Sequence, residues 1–218
     1  MNFYVVTEGV TEKRVYSKWI PDLRPNLTEV NYLEDLSNDK FLIRQGGGLP
    51  NYFEVIAAGV EDVYQTNGRS RLVVCVDSEE QSYTEKFQEI NLVITGVGRR
   101  IDYRIVIQHF CFETWALGNR AIATRNPQSE RLRLFRAHWD VEVRDPELLL
   151  PMPNDAWNRS QFAETYLRAL LNEKFRNLTY TKGNPDAVAR AGYLNRLKTR
   201  LDETKHIGSF AHFLSAFA

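Results

Sequence analysis

Four carboxylates in this 218-residue chain follow closely on apolar runs, and their placement asks for a chemical reason. Glu8 comes straight after residues 3–7 (FYVVT), Asp77 and Glu79 follow residues 71–76 (RLVVCV), and Glu113 follows residues 103–112 (YRIVIQHFCF). If those runs are strands of one α/β sheet, their carboxyl ends are where ligands gather. Acidic groups collected at one edge repel each other unless something positive lies among them. Hard cations such as Mg²⁺ take oxygen ligands, often one or two carboxylates completed by water and substrate phosphate. The expectation is therefore a divalent-metal site, with Mg²⁺ or Mn²⁺ as cofactor, built from Glu8, Asp77 and Glu79.

Each position also has a structural alternative. Glu8 can answer the dipole of a following helix. Asp77-Ser78 can cap the helix after the strand. Glu12, one helical turn beyond Glu8, can lie on a solvated face, and Glu113 can be held by Arg99 or Arg104. Gly46-Gly47-Gly48 reads as a flexible turn or as a phosphate cradle, but it lacks the Lys-Ser/Thr of a P-loop. His109 and His206 read as structural histidines near apolar runs. Arg99, Arg100, Arg131, Arg133 and Arg136 offer phosphate contacts, with a solvated basic face as their alternative.

The elements that must position these residues alternate along the chain. Residues 3–7 are a buried strand, and residues 11–20 carry helical spacing (Val15, Trp19, Ile20) with a stop expected at Pro21. A strand-like patch lies near residues 30–33, and residues 41–44 form a second core strand. Residues 50–64 repeat apolar side chains at helical spacing (Phe53, Ile56, Ala57, Val60, Val63). Residues 71–76 are the clearest buried strand, residues 78–94 mix helix formers and charge, and residues 103–112 read as another β-branched run. Strand and helix in alternation predict a mainly parallel sheet with helices on both faces. Residues 121–160 read as loop-rich, residues 161–176 as an amphipathic helix, and the last 35 or so residues as two helices split near residues 206–209. The division expected is an α/β core over residues 1–120 and a helical extension over 121–218 that packs on the sheet.

Composition limits the partners. Lys+Arg and Asp+Glu both number 28, so a bulk polyanion-binding strategy is excluded while a local basic face is not. The hydrophobic share of 43% supplies a core without disulfides, and Cys75 and Cys111 read as reduced, buried thiols. A strand starting within two residues of Met1 leaves no room for a signal peptide, and no apolar run reaches membrane-spanning length. The expectation is a cytoplasmic protein without a membrane partner.

Two acidic motifs on these elements, strand-Glu-Gly-x-Thr-Glu at residues 5–12 and strand-Asp-x-Glu at residues 74–79, resemble the TOPRIM domain of topoisomerases, DnaG-type primases and OLD-type phage-defence nucleases. Where that family usually carries Asp-x-Asp, this chain has Asp77-x-Glu79, which keeps the charge on a longer arm. Phe112-Glu113-Thr114-Trp115 is similar to the Phe-Glu-x-Trp motif of RloB-like TOPRIM proteins, and Tyr180-Thr181-Lys182 resembles their C-terminal Tyr-x-Lys segment. The resemblance covers residues 1 to about 118, and the tail only loosely.

The resemblance implies a TOPRIM-like, Rossmann-like fold in which Glu8 is the metal-linked acid/base and Asp77 and Glu79 are metal ligands. Glu12 matches the extra glutamate of OLD-type sites, Glu113 is a further acidic contributor, and Lys182 would stabilise charge on pentavalent phosphorus. No tyrosine stands in a topoisomerase context and no zinc module accompanies a primase, so metal-assisted phosphodiester hydrolysis of DNA or RNA, possibly tRNA, is the chemistry implied. The reading is a Mg²⁺-dependent endonuclease, the toxic effector of an antiphage defence system. A larger ATPase or sensor subunit would control it, since the chain has no P-loop, and a homo-oligomer is compatible. The rival readings are a catalytically silent TOPRIM subunit partnered with an ATPase, and a flavodoxin-like fold with unrelated ligand chemistry.

Overall fold

The apolar runs at 3–7, 41–44 and 71–76 all become neighbouring strands. In the computed structural model, which describes every residue except 49, 154–155 and 176–179, they lie in β1 (Asn2–Thr7), β3 (Lys40–Gln45) and β4 (Ser70–Asp77). With β2 (Thr28–Val30) and β5 (Asp102–Gln108) they form one five-stranded, all-parallel sheet in the order β2-β3-β1-β4-β5. Thr7 pairs with Gln45 on one side and with Cys75 on the other. From β1 the chain builds β2 and β3 to one side, then crosses to β4 and β5 on the other. The direction of winding therefore changes at β1, the position where doubly wound sheets open a crevice at their carboxyl ends.

Helices make the crossovers that parallel strands require: α1 (Val10–Leu23), α2 (Asn51–Gln65) and α3 (Tyr83–Gly96). Further along lie α4 (Phe112–Leu117), α5 (Glu130–His138), α6 (Arg159–Lys174), α7 (Tyr193–Thr204) and α8 (Phe210–Ala216). The expected α/β class, a parallel sheet flanked by helices, is what the chain adopts, and it is compatible with a Rossmann-like fold. No helix among the described residues is long and apolar enough to cross a membrane.

Five local expectations are corrected. Helix α1 runs through Pro21 to Leu23, because a proline in the last turn removes only one backbone donor, and Arg24 N–H still closes the helix on Ile20 O at 2.8 Å. Strand β2 begins two residues before Val30, and Leu33 belongs to a short 3-10 turn, Leu33–Asp35. Strand β5 stops at Gln108 although the apolar run continues, since Phe112 already opens α4. The stretch read as loop contains α5, whose start is capped by the Ser129 hydroxyl accepting from Leu132 N–H at 3.3 Å. Helix α6 ends at Lys174, and residue 176, included in the expectation, lies outside the described residues.

The chain divides into two units, Met1–Val76 with Gln81–Ile107 and His212–Ala218, and Asp77–Glu80 with Gln108–Ala211. In the first, strand alternation sends Tyr4, Val6, Leu42, Leu72, Val74 and Val76 to one face, where Ile56, Val60 and Val63 of α2 and Ile90 and Ile94 of α3 cover them. Phe3 packs against Phe217 at 5.2 Å between ring centroids, and Tyr16 of α1 against Phe213 at 4.6 Å. Arg24 and Arg71 hold the C-terminal turn through the carbonyls of Phe217 (2.8 Å) and Ala216 (2.9 Å). The core of the second unit is aromatic and aliphatic, with Phe135 edge-on to Phe162 at 5.2 Å and the Tyr166 hydroxyl donating to Trp139 O at 3.0 Å.

Candidate functional site

In the first unit the end of β1 is held by backbone contacts. Gly46 N–H donates to Thr7 O at 2.7 Å and Gly48 N–H to Glu8 O at 3.3 Å. A side chain at Gly46 would put its Cβ 2.3 Å from Tyr52 Cβ, so this glycine is required for the close approach of α2 to the strand end. Gly47 and Gly48 take φ of 73° and 81°, which only glycine adopts at little cost.

Glu8 is half-buried just past the strand. Glu12 is not on a solvated face: it is 5% exposed, and its Oε2 lies against Gly9, where a Cβ would come within 3.1 Å. Its charge adds to burial in pushing the Cys75 thiol well above its usual range.

Two residues that sequence reasoning missed share this neighbourhood. The buried Lys86 ammonium donates to the Tyr52 hydroxyl at 3.2 Å and pairs with Glu89 at 2.8 Å. Burial works against the ammonium, yet its bonds to Glu89 and Tyr52 outweigh that and raise its pKa. The Tyr52 phenol is raised chiefly by burial, opposed by Lys86 and reinforced by the charges of Glu89 and Glu8. The signal that could have found Lys86 is spacing: it shares an i, i+4, i+8 stripe with Ile90 and Ile94, the buried side of α3.

In the second unit Asp77 does not cap the next helix. Helix α3 is capped by Ser82 in a box with Glu85. The Asp77 carboxylate instead accepts Phe112 N–H at 3.0 Å, at the start of α4. Ser78 is tied down by N–H donation to Gln108 O at 3.0 Å and by contact of its hydroxyl with His109 Nδ1 at 2.8 Å. Glu79 is exposed and sits at φ 50°, a conformation that costs a non-glycine residue about 1–2 kcal/mol. Its N–H is anchored on Phe110 O at 2.8 Å.

Glu113 does not follow a strand directly. It is the second residue of α4, 2% exposed, and it accepts the Tyr180 hydroxyl at 2.8 Å. Arg99 and Arg104, the partners considered for it, pair with Glu61 at 3.0 Å and Asp102 at 2.9 Å. The cation near Glu113 is Lys182. It stands in the tight turn that bridges Thr181 and Asn184. Lys182 is exposed as a whole; enclosure of its ammonium disfavours the charge, but the carboxylates of Glu113 and Asp77 outweigh that and raise its pKa. The unit thus assembles Asp77, Glu113, Tyr180 and Lys182.

Both histidines are held by polar neighbours. Burial first, and the Arg159 charge second, lower the His109 pKa, while its Nδ1 contacts Ser78. His206 Nδ1 accepts from the buried Arg200 guanidinium at 2.8 Å. The arginines divide between the two units. Arg99 lies over the Tyr64 ring at 4.7 Å and, like the exposed Arg100, belongs to the first unit. In the second unit Arg131 stacks over Trp157 at 5.0 Å, Arg133 donates to Gln128 O at 3.0 Å, and Arg136 pairs with Asp140 and Glu142.

Among the described residues no group of three or more His, Cys, Asp or Glu side chains is arranged to hold a metal ion. The donors present are nonetheless all carboxylate oxygens, the type a hard cation selects, and Mg²⁺ needs only one or two of them when water and substrate oxygens fill the rest. By donor chemistry, Asp77 and Glu79 fit such an ion. Glu113, buried and bonded to Tyr180, fits a supporting role better than direct ligation. No protein-family model, curated protein or solved structure matches this chain.

Proposed function

We propose that this chain is a metal-dependent nuclease of TOPRIM type that hydrolyses nucleic-acid phosphodiesters, the effector of an antiphage system under a larger ATPase or sensor partner. One observation carries the reading. Three segments far apart in sequence and each similar to a family motif, at 77–79, 112–115 and 180–182, meet in one unit through Asp77–Phe112 N–H, Glu113–Tyr180 and the field of Asp77 and Glu113 on Lys182. A fortuitous likeness of short motifs gives no reason for them to assemble.

In the proposed chemistry, water attacks phosphorus and the P–O bond to the leaving sugar oxygen breaks. Asp77 and Glu79 would hold a divalent ion, which when bound lowers the pKa of water and offsets phosphoryl charge. By the family resemblance alone, Glu8 would handle the proton. Lys182, kept protonated by its neighbours, serves as a positive charge for the crowded phosphorus and cannot act as a base at neutral pH. Glu113, fixed by Tyr180, keeps that charge in position.

A second reading, a silent TOPRIM subunit that binds an ATPase partner, is favoured by the same lysine: an ammonium beside Asp77 and Glu113 already supplies the positive charge a metal would bring. Incubation of DNA, rRNA and tRNA with the protein in Mg²⁺ or Mn²⁺ separates the two. The nuclease reading expects cleavage that falls at least 100-fold in Glu8→Ala and Asp77→Ala, on the scale of losing a group that acts in the transition state. Cleavage untouched by both substitutions, or absent with every substrate and metal, overturns it.

A further inference from the structure

A cavity of about 290 Å³ lies in the second unit between the end of α4 and the start of α7, and its walls carry an uncompensated positive charge. Arg190 and Arg196, both exposed, line it, and neither belongs to the arginine–carboxylate pairs found among the described residues. No acidic side chain is among the described residues that line it. Phe175 and Tyr193 add aromatic surface, with the Arg190 guanidinium 5.6 Å from the Phe175 ring centroid. The Tyr193 ring is held in place by its hydroxyl bond to Ala116 O at 2.7 Å. Asn119, 5% exposed, contributes an amide whose oxygen is already fixed on Ala121 N–H at 3.0 Å. Gly192, at φ 82°, presents bare backbone between the two arginines.

We infer that this cavity binds a phosphorylated nucleoside, either a free mononucleotide or the phosphorylated end of a nucleic-acid chain. Two guanidinium groups suit phosphate, which they contact through paired N–H donors. The space is at the lower end of small-molecule pockets, far more than an inorganic anion needs. Aromatic rings beside arginine suit a base, since stacking is indifferent to base identity. A larger groove of about 670 Å³ along α5 and α6 is less suited to an anion. There Arg168 is tied to Glu164, and Glu173 shares the wall.

The site does not depend on the metal reading, and its test is arranged to show that. Full-length protein is titrated calorimetrically with AMP, GMP, CMP and UMP, with adenosine, with inorganic phosphate, and with one oligonucleotide bearing a 5′-phosphate or a 5′-hydroxyl. At least one monophosphate or the phosphorylated oligonucleotide should bind with a dissociation constant below about 1 mM. Adenosine, phosphate and the hydroxyl oligonucleotide should bind at least tenfold more weakly. The Arg190→Ala/Arg196→Ala protein should lose at least tenfold in affinity, each single variant part of that, and chelation of divalent ions with EDTA should cost the wild type none. Tighter binding of the phosphorylated oligonucleotide identifies a chain end as the source, and tighter binding of a monophosphate a free nucleotide. Failure of every phosphorylated probe, phosphate binding as tightly as any nucleotide, or affinity retained in the doubly substituted protein overturns the inference.

Discussion

Replacing Glu147 by glutamine should change how stability depends on pH more than it changes stability itself. Glu147 lies in a short 3-10 turn, Pro146–Leu148, and is 9% exposed. Its carboxylate accepts Ser209 N–H at 3.1 Å and the Ser209 hydroxyl, while that hydroxyl oxygen accepts Trp115 Nε1–H at 2.7 Å and His109 N–H at 3.3 Å. Burial dominates nonetheless, and with the nearby Asp145 charge it raises the carboxyl from 4.5 to about 7 against the Ser209 bonds. The folded chain therefore keeps a proton that the unfolded chain has released between those two values. Stability from this group is complete below pH 4.5, declines as pH rises, and is gone above about 7. At ~1.4 kcal/mol per tenfold, the gap corresponds to about 3 kcal/mol. Urea unfolding of wild type and Glu147→Gln, followed by tryptophan fluorescence at half-unit steps from pH 4.5 to 8, isolates the contribution as a difference. The wild type should lose about 3 kcal/mol relative to the variant across that range. A difference that stays flat, or that grows in favour of the wild type as pH rises, refutes the reasoning.

Gly46→Ala should destabilise by about 1–3 kcal/mol or more, because its Cβ would meet Tyr52 Cβ at 2.3 Å and neither β1 nor α2 has room to yield; a thermal midpoint within a degree of wild type would contradict this. Tyr180→Phe leaves the buried Glu113 carboxylate one hydrogen bond short and should cost about 1–3 kcal/mol in denaturant unfolding, whereas full stability would mean the bond contributes nothing. Cys75 and Cys111 are both buried with thiol pKa values pushed well up, so an aromatic disulfide reagent should label them only after unfolding; rapid labelling of the native protein would show that the core opens there.

The sheet was legible because its central strands are buried on both faces and therefore read as unbroken apolar runs. The same property hid where β5 ends. Phe110, Cys111 and Phe112 are as apolar as the strand before them, and the chain turns into α4 where Asp77 accepts Phe112 N–H. Strand-end position likewise singled out Asp77 and Glu8, since an apolar run that stops at a carboxylate places that carboxylate at the sheet's edge. It said nothing of partners. On paper Glu113 could be held by Arg99 or Arg104, but these are held by Glu61 and Asp102, and a tyrosine 67 residues away takes the carboxylate instead.

Lys86 shows what a stricter reading of spacing would have recovered. A lysine on the same stripe as Ile90 and Ile94 is buried with them unless the helix is turned, and a buried ammonium needs acceptors. Those acceptors, Tyr52 and Glu89, come one from another helix and one from three residues along its own. Periodicity can thus announce that a charged side chain is inside. Which groups neutralise it is set by packing between elements, and so are the roles of Asp77, Glu113 and Lys182.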